Sequence, residues 1–239
     1  MPPDHPPEPA LHQHYDAMWA RAFPLVAAGD IDCDARLSAG PDPRRGLTVI
    51  ARPCPALAAR FDALLDRLSA LEPGQYRHPA PDLHLTVLSL FTVDEEAAPA
   101  LARLDDYRAA AAEAVAGIGP FAIDFRGITL SRGAVLACGI PRGPMLEALR
   151  ERLRSALRAR GLDGTLDGRY RLVTAHATLL RFMRPLLRPA RFARELEALR
   201  DVALGTMQVD AVQLVVNDWY MSSGSLQQVE NFTLAQRGT

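Results

Sequence analysis

The sequence contains no lysine, and all 27 of its basic residues are arginine. This absence excludes a P-loop lysine, Schiff-base catalysis and a covalent lysyl-nucleotide intermediate. The Arg- and Ala-rich composition is typical of a GC-rich bacterial genome, so we give the choice of arginine over lysine little functional meaning. The 28 acidic residues bring the net charge to −1, which argues against a protein that coats long nucleic-acid duplexes.

Cysteine and long apolar runs are also scarce. Cys33, Cys54 and Cys138 stand far apart without C-x-x-C spacing, which argues against both a disulfide framework and a zinc site. There is no run of about 18 apolar residues, and the first residues lack the basic start and apolar core of a secretory signal. We therefore expect a cytoplasmic protein without a membrane span, a metal, a cofactor or an evident obligatory protein partner. The oligomeric state stays open.

The chain divides at about residue 45 into an extension, 1–45, and a larger domain, 46–239. Residues 1–9 are proline-rich and expected to be disordered. An amphipathic helix is predicted over 10–28, kinked or ended by Pro24, and a polar loop follows. In the larger domain, predicted strands cover 46–52, 83–91, 121–131, 134–140, 173–182, 207–217 and 227–235, and predicted helices cover 55–71, 94–116, 144–160 and 189–203.

This order of elements repeats. The series strand, helix, strand, helix, strand runs once from residue 46 and again from residue 134. Hairpins and helices alternate without a simple parallel winding. The expected fold is therefore α+β, with two pseudo-symmetric β-α-β lobes, mainly antiparallel sheets and a central cleft, preceded by the N-terminal helical extension.

Two His-x-Thr motifs lie at equivalent points of the repeat. His84 and Thr86 share one strand, and His176 and Thr178 share another, so each pair projects from one strand face. A neutral and a protonated imidazole can act as general base and general acid. Threonine hydroxyls can donate hydrogen bonds to phosphate oxygens. The pattern therefore predicts metal-independent phosphodiester chemistry, while the alternative interpretation is two half-buried strand histidines with satisfied polar atoms.

Other residues have weaker functional interpretations. His12 and His14 could suggest a metal-binding pair, but side chains two residues apart diverge on a helix, so we expect both to face solvent. Trp219 and Tyr220 could stack on a base, although a core or lobe-interface role is favoured. The arginines of helix 144–160 are expected to form a solvated face: Arg150, Arg152, Arg154, Arg158 and Arg160. The loops entering the motif strands are candidate substrate contacts or simply solvated: Tyr76, Arg77 and His78 before the first, and Arg169, Tyr170 and Arg171 before the second.

The paired motifs, about ninety residues apart, resemble those of the 2H phosphoesterase superfamily, and most closely its 2′-5′ RNA ligase and cyclic phosphodiesterase branch. The resemblance covers roughly residues 46–236. It implies His84 and His176 as the acid–base pair and Thr86 and Thr178 as phosphate ligands. The ligase branch also places an arginine five residues after the second histidine, where Arg181 stands. Plain strand alternation puts Arg181 on the face opposite His176, so its participation requires a bulge or a place at the strand end.

The sequence thus predicts hydrolysis of a phosphodiester in an RNA end or a small nucleotide, such as a 2′,3′-cyclic phosphate or a 2′-5′ linkage. One alternative is cofactor-free 2′-5′ ligation of RNA ends. Another is a nucleotide- or RNA-binding module with little catalytic activity. The motifs describe how a phosphate is handled, and they leave the base and the partner sugar undefined.

Overall fold

The computed structural model describes residues 8–94, 97–168 and 171–235. It contains six α-helices within these ranges, besides two short 3₁₀ helices: α1 Glu8–Ala27, α2 Pro55–Leu71, α3 Ala98–Leu101, α4 Leu104–Val115, α5 Met145–Ala159 and α6 Pro189–Leu199. The strands are β1 Arg45–Ala51, β2 Tyr76–Arg77, β3 Leu85–Asp94, β4 Phe121–Ser131, β5 Ala134–Pro141, β6 Ala177–Arg181, β7 Ala203–Val209, β8 Ala211–Asn217 and β9 Gln227–Thr233. The predicted disorder of residues 1–9 falls mainly outside the described residues.

The strands form two antiparallel sheets, which confirms the predicted α+β class. One sheet has the order β3-β1-β8-β9, and the other has the order β2-β6-β5-β4-β7. The orders β3-β1-β8-β9 and β6-β5-β4-β7 correspond position by position, so each motif strand occupies the same place in its sheet. The pseudo-symmetry expected from the repeat is therefore present in the sheet order.

The motif strands also match residue by residue. Residues 84–90 and 176–182 have the same order of burial: half-buried, buried, half-buried, buried, buried, half-buried, buried. Each strand pairs with its neighbour through a register shift. Thr86 lies opposite Ile50 and Leu88 opposite Val49, so one extra residue stands between them on β3. Such a β-bulge breaks the strict alternation of faces.

Three predictions about local structure were wrong. The two histidines do not lie within strands, since β3 and β6 begin one residue after them. The predicted strand 207–217 is divided at Asp210 into β7 and β8, which belong to different sheets. The long helix predicted over 94–116 is broken into α3 and α4 near Arg103. A short edge strand, β2, was not predicted because two residues give no periodic pattern.

The N-terminal helix α1 packs against β4 and α6. Val26 belongs to the main hydrophobic core, and Leu11 and Tyr15 pack with Cys138 and Ile140 of β5 in a small separate cluster. Pro24 lies inside the helix, which continues to Ala27. Among the described residues, no helix is both long enough and apolar enough to cross a membrane.

Candidate active site

A cavity of about 260 Å³ opens between the two motif strands. This volume lies just below the usual range of ligand pockets, about 300–1,000 Å³, so the space between the motifs suits one nucleotide. All five residues predicted for the site line this cavity: His84, Thr86, His176, Thr178 and Arg181. The structure therefore brings both motifs and the arginine to one place.

The first histidine is oriented by the chain segment that precedes it. Nδ1 of His84 lies 2.7 Å from the carbonyl oxygen of Asp82. A carbonyl only accepts, so Nδ1 carries the proton and the neutral ring leaves Nε2 as its acceptor nitrogen. The carboxylate of Asp82 accepts a hydrogen bond from the backbone N–H of Ser223 at 2.8 Å. Arg52 donates hydrogen bonds to the carbonyls of Pro81 and Leu83. These bonds fix the backbone on both sides of Asp82.

The second histidine has a similar but not identical support. Nδ1 of His176 lies 2.8 Å from Oγ1 of Thr174, again two residues earlier. A hydroxyl can donate or accept, so this contact is compatible with either neutral tautomer and with the imidazolium. The two imidazoles therefore differ in how firmly their tautomer is set.

A bulge places Arg181 on the same face as Thr178. Leu136 lies opposite Thr178 and Val135 opposite Leu180, so Leu179 is the extra residue on β6. Leu179 and Leu180 are both buried, whereas Thr178 and Arg181 are half-buried and line the cavity. Strict alternation predicted the opposite face for Arg181, and the register shift is the physical reason for the difference. Ser89 occupies the corresponding position on β3 and also lines the cavity.

Arg150 of α5 connects the two motif segments. Its guanidinium donates to the carbonyls of Val87 at 2.9 Å and Thr86 at 3.4 Å in the first motif, and to that of Thr174 at 2.6 Å in the second. The side chain is only 1% exposed and also faces Glu147 at 3.5 Å. One buried side chain thus joins the backbone of the first motif to the segment just before the second.

The prediction of a solvated arginine face on α5 was wrong for its two inner members. Arg154 is fully buried and pairs with Glu147, Glu151 and Asp167. These carboxylates satisfy the guanidinium, and burial without such partners would be very costly. The spacing of Arg150 and Arg154, four residues apart on one helix face, was the available signal. The sequence did not reveal that backbone carbonyls from distant segments meet that face.

Tyr15 of α1 supports the segment just before His176. Its hydroxyl donates to the carbonyl of Gly139 at 3.1 Å and accepts from the N–H of Ala175 at 3.0 Å. The carbonyl oxygen of Ala175 also lies close to Gly139, and only glycine fits there, because a Cβ atom would lie 2.0 Å from that oxygen. The N-terminal extension therefore contacts the residue directly before the second motif, which sequence analysis did not predict.

The loop after α1 contacts a residue that lines the cavity. Asp34 accepts a hydrogen bond from the hydroxyl of Tyr220 at 2.8 Å. The guanidinium of Arg181 lies 5.7 Å from the centre of the Tyr220 ring, and that of Arg44 lies 4.7 Å from the centre of the Trp219 ring. Trp219 and Tyr220 both line the cavity, and Tyr220 is buried. Arg169 and Tyr170 lie outside the described residues.

The cavity disfavours protonated imidazole. Burial lowers the pKa of His84 to about 4, with further lowering by Arg52 and Arg181 and a partly opposing hydrogen bond to Asp82. Burial also lowers the pKa of His176 to about 4, and His84, Arg150 and Arg181 add to the effect. Both rings are therefore neutral at pH 7. A bound anion would raise both pKa values, because it stabilises the cation.

Potential metal ligands do not gather at this site. Within 8–94, 97–168 and 171–235, no three His, Cys, Asp or Glu side chains are grouped in a way that could hold a metal ion. His12 and His14 are both exposed on α1, as their helical spacing predicted. That the chemistry needs no metal stays a prediction.

Comparison with known proteins establishes the family. A model described as the 2′-5′ RNA ligase superfamily matches residues 53–220, a range that includes both motifs and Arg181. This is more than half of the chain, so the protein belongs to the 2′-5′ RNA ligase superfamily. The resemblance to 2H phosphoesterases is thereby confirmed.

Solved structures share the fold at low sequence identity. TT0787 of Thermus thermophilus aligns with a TM-score of 0.58 and 22% identity, covering 82% of this chain and 100% of that one. E. coli LigT complexed with 3′-AMP aligns with a TM-score of 0.52 and 17% identity, covering 81% and 99%. No curated protein sequence matches the chain. At these identities the structural likeness concerns the fold alone.

Proposed function

We propose that this protein cleaves a phosphodiester at an RNA end or in a small nucleotide, with a 2′,3′-cyclic phosphate or a 2′-5′ linkage as the reacting group. The observation that carries the proposal is the convergence of both His-x-Thr pairs and Arg181 on one nucleotide-sized cavity. Membership of the 2′-5′ RNA ligase superfamily supports it. E. coli LigT, which shares the fold, is known in complex with 3′-AMP, so nucleotides are the first ligands to test.

The two histidines share the proton transfers. One neutral imidazole removes a proton from a water or a ribose hydroxyl, and the other, protonated, gives its proton to the leaving oxygen. Binding of the anionic phosphate raises the pKa of the pair from about 4, so one ring becomes protonated when substrate enters.

Three further side chains hold the phosphate. The hydroxyls of Thr86 and Thr178 donate to its non-bridging oxygens from opposite strands. Arg181 contributes a charged donor from the bulged end of β6. These donors act on charge that grows in the transition state, while Arg150 keeps the strands that carry them in place.

The test is a screen of 2′,3′-cyclic nucleotides, cyclic-phosphate-ended RNA and 2′-5′ dinucleotides in the presence of a chelator. Turnover should persist with chelator and disappear in His84→Ala and in His176→Ala, with native circular dichroism in both variants. If both variants retain wild-type rates on every substrate that the protein cleaves, the assignment is wrong. Loss of activity in chelator, restored by a divalent metal, would contradict the metal-independent mechanism.

Ligation is the second candidate, and the family to which the chain belongs is the observation that favours it. A cyclic-phosphate RNA end and a 5′-hydroxyl RNA end should then be joined by a 2′-5′ bond without a nucleotide cofactor. Analysis of products by digestion with a 3′-5′-specific nuclease separates the outcomes, because a 2′-5′ junction resists cleavage. Tight binding of a nucleotide without turnover on any of these substrates would instead indicate the binding module.

A further inference from the structure

The guanidinium of Arg181 has little direct support from the protein. Among the residues that the structure describes, it makes no salt bridge, and its buried Nε atom has no hydrogen-bond partner. Burial lowers the pKa of this side chain, and the charge of Asp34 is the largest influence that opposes the lowering. A long side chain without such bonds keeps much of its rotamer freedom. The direction of the guanidinium therefore depends on the groups packed beside it.

Two tyrosines lie beside Arg181. Tyr76 is its partner in the pairing of β2 with β6. The guanidinium lies 5.7 Å from the centre of the Tyr220 ring, inside the range of about 6 Å over which an aromatic face attracts a cation. Tyr220 is buried and comes from the loop after β8, a strand of the other sheet. The position of the Tyr220 ring therefore affects where the guanidinium lies.

Asp34 joins Tyr220 to the end of β6. Its Oδ2 atom accepts a hydrogen bond from the Tyr220 hydroxyl at 2.8 Å. Its backbone N–H donates to the carbonyl of Phe182, the residue after Arg181, at 2.8 Å. Its Oδ1 atom accepts from the backbone N–H of Arg36 at 3.1 Å. One residue of the extension thus contacts both the strand end that carries Arg181 and the ring that faces it.

This contact comes from outside the part of the chain that matches the family. The match begins at residue 53, so it includes Arg181 and Tyr220 but not Asp34. The cavity wall near Arg181 therefore depends on a residue that the family model does not contain.

We propose that Asp34 is a positioning residue for phosphate binding: it holds the hydroxyl of Tyr220, and the Tyr220 ring in turn holds the guanidinium of Arg181 towards the phosphate. This inference rests on the proposed function, in which Arg181 is a phosphate ligand. It deepens that function, because it makes the N-terminal extension a working part of the phosphate site.

The experiment measures binding of adenosine 3′-monophosphate by calorimetry in a double-mutant cycle. Asp34→Ala, which removes the acceptor of the Tyr220 hydroxyl, should weaken binding by about 3- to 5-fold. Tyr220→Phe, which removes the hydroxyl and keeps the ring, should weaken binding by a similar factor. In an Arg181→Gln background neither change should weaken binding further, because the side chain through which both act is absent.

Asp32→Ala is the matched control. The backbone N–H of Asp32 donates to the carbonyl of Arg132 at 2.9 Å, much as that of Asp34 does to Phe182. The carboxylate of Asp32 pairs with Arg132 at 3.2 Å. This variant should bind the nucleotide as the wild-type protein does. Asp34→Asn is the conservative variant, and it should retain most of the affinity because its amide oxygen can accept from the Tyr220 hydroxyl.

The dependence on Arg181 distinguishes positioning from a structural role. A lost hydrogen bond lowers the melting temperature with or without Arg181, whereas only positioning makes the loss of affinity disappear in Arg181→Gln. If Asp34→Ala does not fold, the cycle of Tyr220→Phe with Arg181→Gln gives the same decision. The inference is overturned if the variants bind like wild type, or if they weaken binding equally in both backgrounds.

Failure of this inference can be separated from failure of the proposed function. If the wild-type protein cleaves a 2′-linked phosphodiester and binds the nucleotide, but the cycle shows no coupling, only the role of Asp34 is wrong. If Arg181→Gln binds as tightly as wild type, the inference fails together with the assignment of Arg181 as a phosphate ligand. If the wild-type protein neither cleaves any tested phosphodiester nor binds the nucleotide, the proposed function itself fails.

Discussion

Removal of a single oxygen atom, in Tyr15→Phe, tests whether the N-terminal helix supports the second motif. The hydroxyl joins the N–H of Ala175 to the carbonyl of Gly139. Tyr15 is 2% exposed and Ala175 is fully buried, so water does not readily replace the lost oxygen. Each buried group left without a partner costs about 1–3 kcal/mol. Allowing for some backbone relaxation, we expect the free energy of unfolding to fall by about 2–4 kcal/mol.

Urea denaturation followed by circular dichroism at pH 7 measures this loss. Tyr107→Phe is the matched control, because its buried hydroxyl reaches the carbonyl of Leu162 only at 3.5 Å. Such a long contact is weak, so the control should lose at most about 1 kcal/mol. Equal losses in the two variants, or a loss below about 0.5 kcal/mol in Tyr15→Phe, would refute the reasoning.

The same variant should also lower turnover. Ala175 directly precedes His176, and a small displacement of a catalytic group can reduce the rate by up to about 100-fold. We expect kcat to fall by at least about tenfold in Tyr15→Phe while the far-ultraviolet spectrum stays native. A wild-type kcat in a variant that has lost the expected stability would show that the helix supports the fold alone.

Three other changes test the surroundings of the motifs. Gly139→Ala should destabilise the protein by more than about 3 kcal/mol in urea titrations, because it places a Cβ atom 2.0 Å from the carbonyl oxygen of Ala175. The control Gly164→Ala, which has open space around it, should change the stability by no more than about 0.5 kcal/mol. Arg150→Met should cost about 3–5 kcal/mol in the same assay, because it leaves three carbonyls without their guanidinium donor and removes one of the cations that face Glu147. A neutral result would contradict the bridging role. The value of kcat/KM should still rise as the pH falls from 7 towards 5, because the motif histidines of the free protein have pKa values lowered to about 4. The optimum of kcat should lie at higher pH, because bound phosphate raises those pKa values. Superimposable pH profiles of kcat/KM and kcat would count against an effect of bound phosphate on these pKa values.

Local patterns predicted most of the elements and the core of the site. The helix over 55–71 and the hairpin of β4 and β5 were placed almost to the residue, because their ends carry proline or glycine signals and their apolar spacing is regular. The motif pairs were predicted to share a space because the repeat puts both histidines at the same point of equivalent units, and they do line one cavity.

The remaining features depend on contacts between distant residues. The position of Arg181 follows from a bulge at Leu179, which depends on how β6 pairs with β5 and leaves no mark in the strand itself. Arg150 and Tyr15 act through backbone groups 24 to 160 residues away in the chain. A pattern of side chains within one helix does not reveal which carbonyl it will meet. Such roles depend on which distant segments the fold brings into contact.

The most direct test of the central claim compares His84→Ala, His176→Ala and the double variant on the best cleaved 2′-linked phosphodiester. If the two imidazoles form one acid–base pair, each single variant should lose about 10²–10⁴-fold in kcat. The double variant should be scarcely slower than either one, because the pair works as a unit. Retention of a near wild-type kcat in either single variant, or losses that multiply fully in the double variant, would contradict the account.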